Sequence, residues 1–277
     1  YSANNVMRQI FIVNLTLMTL LIASCNENKV ERLRQKREDV VDTANESLEE
    51  LLKYGREKQE EAKSKDGIEV VSNNDIHTLA SIGHVPLSYR ELKDALRVID
   101  SEGDDVSLLY TRKLRSKDQF GGLKGEWNRE HVWPRSYGIE KSGADFTDLH
   151  AIFACDVSAN SSRGNKFFDS KTDRDSWLPP VEMRGDIARS MFYMAVRYDG
   201  LDPETIDLKL SNSPDPKKGE LGMLNTLLKW HSNDPVDARE RSRNEKVKSI
   251  QGNSNPFVDD PALVSKFYHS NVGVMLE

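Results

Sequence analysis

The chain has 277 residues, 37% of them hydrophobic, with a formal charge of −6 and an isoelectric point near 5.7. That is enough apolar material for a substantial core, and too acidic a balance for a whole-surface nucleic-acid binder of the histone kind. The only cysteines, Cys25 and Cys155, exclude a disulfide framework and a cysteine-built zinc site, so any metal must be held by oxygen and nitrogen.

Residues 10–23 are apolar apart from Asn14, Thr16 and Thr19, and they follow a positive charge at Arg8. The run falls short of the ~20 residues a spanning helix requires, which predicts a signal peptide over residues 1–24. Ile22-Ala23-Ser24-Cys25 resembles a bacterial lipobox, so Cys25 is the expected lipidation site. The competing reading, an ordinary secretory signal, puts the mature protein in the same place: outside the cytoplasm, membrane-anchored at the cell envelope or secreted. Residues 25–74 then form a charged tether. Val30, Leu33, Val40, Leu48 and Leu51 recur there near helical spacing, but the stripe breaks at Arg37, which favours a solvated spacer over a coiled coil. Residues 67–74 read as a loop.

A folded domain is expected over residues 75–277. Leu92, Ala95, Leu96, Val98 and Ile99 predict a helix over 89–100, and residues 106–110 a short strand. A second helix is predicted over 186–198, with Gly200 where a C-terminal cap belongs. Asp234-Pro235 is expected to open another, through an Asp at the cap and a Pro at the first helical position. Helices outnumber strands, so the fold class is α+β, mainly helical.

The chemistry concentrates in three packets. Glu126-Trp127-Asn128-Arg129-Glu130-His131-Val132-Trp133-Pro134 sets a carboxylate beside an imidazole between two tryptophans expected to pack rather than bind. On an extended strand Glu130 and His131 point to opposite faces, so sharing one ion would require a turn or bulge. Residues 145–153 read as a second strand, and Asp156 can cap a short helix carrying Asn160 and Arg163. Strand, loop, strand and short helix would bring His131 and Asn160 around one metal. Imidazole supplies a base with a pKa near neutrality, and a carboxylate with an amide oxygen suits a hard divalent cation. The cation of choice is Mg²⁺, with Ca²⁺ or Mn²⁺ as alternatives. Arg163 could reach a phosphate oxygen as a bidentate donor. Between Arg112 and Arg197 fifteen Lys and Arg face twelve Asp and Glu, a local balance of +3 in an acidic protein.

These residues resemble the bacterial endonuclease I family, within the His-Me or ββα-metal finger nucleases. The likeness rests on Asn128-Arg129-Glu130-His131-Val132-Trp133-Pro134, Asp148-Leu149-His150, Asn160-Ser161-Ser162-Arg163-Gly164-Asn165 and Gly185-Asp186-Ile187-Ala188-Arg189. Arg243-Asn244, Gln251-Gly252-Asn253 and Asn255-Pro256-Phe257 continue it. The resemblance implies a largely sequence-nonspecific endonuclease acting on DNA, and also RNA, that leaves 5′-phosphate and 3′-hydroxyl ends. His131 would be the general base and Glu130 and Asn160 the metal ligands; a monomer is expected. Ala151 and Ser254 depart from the family pattern, which bears on affinity rather than on the catalytic trio. His150 stands evenly between a structural bond and a secondary role at the site, and Cys155 is expected to be buried and inert. The rival function is a catalytically silent nucleic-acid-binding envelope lipoprotein.

Overall fold

The computed structural model describes residues 73–272 apart from 142, 203 and 204, all within a compact unit spanning Val70–Glu277. The expected signal peptide, Cys25 and nearly all of the tether lie outside the described residues. Among those described, no helix is long and apolar enough to cross a membrane.

The chain enters with helices α1 (Asn73–Ser81) and α2 (Leu92–Ile99), then a three-stranded antiparallel sheet of β1 (Ser101–Glu102), β2 (Asp105–Ser107) and β3 (Leu114–Ser116). A two-stranded antiparallel ribbon follows, β4 (Trp127–His131) with β5 (Ile152–Asp156), and leads directly into α3 (Val157–Arg163). After two short parallel pairs, β6 (Phe167–Phe168) with β7 (Ser176–Trp177) and β8 (Lys209–Leu210) with β9 (Glu220–Leu221), the remainder is helical. It comprises α4 (Arg184–Arg197) between the two pairs, then α5 (Leu224–Asn233), α6 (Ala238–Gln251), α7 (Pro256–Asp259) and α8 (Ala262–Val272). The fold is mixed α+β, with the longer elements helical.

The β4–β5 ribbon divides the apolar interior. Alternation along β5 sends Ile152 and Ala154 toward a cluster built on Leu92, Leu96 and Trp127, and Phe153 and Cys155 toward a larger one around α4. Every side chain of α4 from Ile187 to Met194 is buried, so a helix wrapped on all sides forms the molecule's spine.

Several local expectations change. Residues 145–151 are not strand: Ala144–Phe146 is a 3-10 turn and only Ile152–Asp156 pairs with β4. The reason is long-range. Asp148 is fully buried, its carboxylate accepting from Tyr193 Oη at 2.7 Å, Tyr198 Oη at 2.8 Å and Gln251 Nε2 at 3.0 Å, which commits the segment to side-chain partners instead of a ladder. Asp234 opens no helix; its carboxylate accepts from the Gly185 amide at 2.8 Å at the start of α4, while Asp237 caps α6 through the Glu240 amide. Residues 73 and 74 begin α1 instead of ending a loop, and the strand expected at 106–110 is Asp105–Ser107.

Candidate nuclease site

His131 is the last residue of the β4 ladder, paired with Ile152; beyond it Val132 and Trp133 turn away and Arg135–Tyr137 forms a 3-10 turn. The carbonyls leaving the ladder there need donors. Arg163, at the end of α3, supplies them: its Nη1 donates to His131 O at 2.7 Å and its Nη2 to Val132 O at 2.6 Å. Asn160, one helical turn earlier, donates its Nδ2 to Arg129 O at 3.0 Å and to Asn128 Oδ1 at 2.8 Å. Two side chains of α3 thus fix the helix across the end of the strand, and Asp156 caps the helix by accepting from the Ser158 and Ala159 amides.

The result is a cleft of about 450 Å³ whose lining includes Glu130, His131, Arg135, Asn160 and Asn165. His131 and Asn160, 29 positions apart in sequence, therefore face one space. No bulge is involved: the ladder is regular through His131, and Glu130 and His131 reach the same cleft because it lies where the strand ends.

Glu130 is buried, and its Oε1 accepts from Tyr110 Oη at 2.7 Å and from Arg163 Nη1 at 2.9 Å. Its Oε2 accepts no bond from a described residue. Burial raises the Glu130 pKa, opposed by the Arg163 charge and the two hydrogen bonds. Asn160 spends both donated bonds on β4, which leaves its Oδ1 without a donor among the described residues. His131 is stacked on Phe146, with ring centroids 5.2 Å apart and planes 10° off parallel. Its Nε2 is buried with no hydrogen-bond partner among the described residues. Burial and the nearby Arg135, Arg129 and Arg163 guanidiniums lower its pKa to about 4, so the imidazole is neutral, and able to accept a proton, at neutral pH.

Arg163 corrects an expectation. It is 1% exposed, both terminal nitrogens are committed to Glu130 and to the strand carbonyls, and its guanidinium rests 4.7 Å from the Phe168 ring. It organises Glu130 and does not offer a free fork to a phosphate. His150 lies away from the cleft, its Nε2 against Asn253 O at 3.1 Å and its ring tilted on Tyr193, which makes it structural. Cys155 is buried and free, with burial pushing its thiol pKa up. Asn165 was passed over in the sequence, although it is the second amide of Asn160-Ser161-Ser162-Arg163-Gly164-Asn165. Gly164 carries the chain from the helix to that amide with φ of 54°, a conformation that a side chain would penalise.

The donor set fits a divalent cation. Among the described residues no group of three or more His, Cys, Asp and Glu is arranged to hold a metal. A cation here would rest on one carboxylate oxygen and on amide oxygens, and Glu130 and Asn160, each with one oxygen unpartnered among the described residues, both line this cleft. Such a sparse oxygen set suits Mg²⁺, which keeps several waters.

The family model for Endonuclease I matches residues 43–178 and 172–262, beginning inside the segment read as a tether. The chain is 41% identical over 225 residues to an extracellular ribonuclease of Bacillus amyloliquefaciens, covering 75% of this chain and 76% of that one. It is 42% identical over 228 residues to an extracellular ribonuclease of Bacillus subtilis (strain 168), covering 76% and 77%. With the family model matched across most of the chain and two relatives above 40% identical over three quarters of it, the chain belongs to the endonuclease I family and is a nuclease whose substrate is nucleic acid.

Proposed function

We propose that this nuclease hydrolyses phosphodiester bonds of RNA and DNA with little sequence preference, using a divalent cation, Mg²⁺ before Ca²⁺ or Mn²⁺. His131 acts as general base, with Glu130 and Asn160 as cation ligands and Asn165 as a further amide at the cleft. One observation carries the reading: His131, whose buried Nε2 has no hydrogen-bond partner among the described residues, lines the same cleft as Glu130 and Asn160. RNA joins DNA as substrate because both relatives are named extracellular ribonucleases.

In this scheme the His131 imidazole takes the proton of the attacking water, and the Phe146 ring stacked on it fixes the plane of the imidazole. Tyr110 and Arg163 fix Oε1 of Glu130 and so orient its second oxygen. The cation, when bound, stabilises the negative charge developing on the phosphoryl group and the leaving oxygen. With water as the nucleophile and the 3′ oxygen as the leaving group, RNA products should carry 5′-phosphate and 3′-hydroxyl ends, without the cyclic phosphate that attack by the ribose 2′-hydroxyl would leave.

End-labelled RNA and DNA incubated with the protein in Mg²⁺, in EDTA, and with His131→Ala test this. Cleavage of both substrates in Mg²⁺, its loss in EDTA, and a 10²–10⁴-fold slower variant are expected. Full activity in EDTA, or cyclic-phosphate ends, would contradict it.

The protein is further proposed to act outside the cytoplasm as a monomer, anchored by lipid at Cys25. Secretion is supported by the two extracellular relatives, and the anchor by the lipobox-like Ile22-Ala23-Ser24-Cys25. Mass spectrometry of the mature N-terminus should find an acylated Cys25, absent from Cys25→Ser; an unmodified cysteine in the native protein would refute the anchor.

A further inference from the structure

Three arginines line the cleft, and they are not equivalent. Arg163 is spent on Glu130 and the strand carbonyls. Arg129 and Arg135 have no carboxylate partner among the described residues; Arg90, Arg112, Arg184 and Arg241 have none either, but of these six only Arg129 and Arg135 line the cleft.

The two free guanidiniums share a frame with the base. Tyr89 and Phe146 stack with centroids 4.8 Å apart and planes 14° off parallel, and Phe146 stacks in turn on His131. The Arg129 guanidinium carbon lies 3.9 Å from the Tyr89 centroid and 5.2 Å from that of Phe120, and Nη1 donates to Tyr89 O at 2.9 Å. The Arg135 guanidinium lies 5.4 Å from the Phe146 ring. One pair of rings thus contacts both cations and the imidazole. A charged side chain held between two rings and bonded to a backbone carbonyl has surrendered its rotamer freedom before any ligand arrives, and its remaining N–H groups stay unspent.

We propose that Arg129 and Arg135 are the residues that grip the substrate's phosphodiester backbone, with Tyr89, Phe120 and Phe146 as the aromatic frame that presents them beside His131. The assignment rests on the nuclease reading above and deepens it by naming the substrate contacts. Phosphates are identical along any strand, so this grip carries affinity and register but no sequence preference. The planar fork of arginine suits it, because it can stack and donate two parallel bonds to one phosphate, which lysine cannot.

The test is binding of short fluorescein-labelled DNA and RNA oligonucleotides to the His131→Ala protein, followed by anisotropy across a range of salt. Adding Arg129→Gln or Arg135→Gln should weaken binding by about tenfold each. Each should also reduce the slope of log K against log salt by about one, equally for oligonucleotides of different sequence. Arg129→Lys should recover the slope but not the full affinity. Tyr89→Leu, which keeps the charge and removes the frame, should lower affinity with the slope unchanged. Unaltered affinity and slope in both Gln variants would overturn the assignment, as would a loss confined to one base sequence. Cleavage by the otherwise unaltered protein reads the other question. If that protein cuts RNA or DNA while the Gln variants bind normally, only the arginine assignment falls. If it cuts neither, the nuclease reading falls and takes the assignment with it.

Discussion

The Arg163–Glu130 pair carries more of the site than its distance from the solvent suggests. A buried ion pair gains little over a hydrophobic pair of the same shape, but removing one partner strands the other charge. Arg163→Ala would leave a buried carboxylate with one donor and two carbonyls with none, so a loss of about 3–5 kcal/mol is expected in urea denaturation; a loss below about 1 kcal/mol would contradict the structural role. Glu130→Gln keeps the shape and sheds the charge. It should shift the Mg²⁺ concentration for half-maximal cleavage upward, as should Asn160→Ala, and an unmoved activation curve would remove either residue from the cation. That Glu130, His131 and Asn160 would meet in one cleft was legible in the sequence, because a Glu-His pair and an Asn-rich motif are local. Which arginine was spent and which was free was not legible. Arg163 meets Glu130 across 33 positions, and only the folded path of β4 and α3 reveals that its fork is occupied.

At the level of elements, the geometry depends on short polar links between pieces far apart in sequence. Helix α4 starts against the loop after α5, where a β-carbon on Gly185 would meet Asp234 O at 2.1 Å. Gly185→Ala must therefore push apart two elements joined by the Gly185 amide and Asp234, and a lowered Tm is expected although alanine favours helices; an unchanged or raised Tm would show that the contact gives way freely. The same link explains why the sequence misplaced a helix start. Asp234-Pro235 has the local chemistry of a cap, but its carboxylate serves α4, 49 residues back, and Asp237 caps the helix that follows. Helix α2 was readable from periodicity because Leu92, Ala95, Leu96 and Ile99 present one apolar face to the smaller core, whereas α4, buried on all sides, was readable as a long run rich in apolar residues. The buried Asp148 segment was not, since its polar residues are satisfied by Tyr193, Tyr198 and Gln251, partners that no local window contains.

At the scale of the whole molecule, buried histidines and buried carboxyls pull stability in opposite directions as pH falls. Burial lowers His84 to about 4, with Arg197 and His150 adding to it against the attraction of Asp148. Burial likewise lowers His131 and His231 to about 4. These groups are neutral when folded, so as pH falls below their unfolded value near 6.5 the unfolded chain takes up protons first and stability declines until about 4. Asp148 acts lower down. Burial opposes its ionisation, but His84, His150 and Gln251 outweigh that and hold it at about 2, so its contribution is present above about 3.8 and lost as pH falls through 2. Burial raises Asp145 to about 7 and raises Asp186 as well, so these carboxyls hold protons in the folded protein and oppose the decline set by the histidines as pH falls. His84→Gln should therefore make the change in Tm between about pH 6.5 and 4 less negative than in the unaltered protein; an identical change would refute the role of His84.

On the proposed mechanism the His131 imidazole, stacked on Phe146 at the end of β4, accepts the proton of the attacking water. His131→Gly removes the base and opens a space of matching shape, so the direct measurement is cleavage of labelled RNA and DNA by this variant in Mg²⁺ with increasing free imidazole. The account predicts negligible turnover without imidazole and a saturable recovery as it is added. Cleavage by His131→Gly at the rate of the unaltered protein, with no imidazole present, would contradict it.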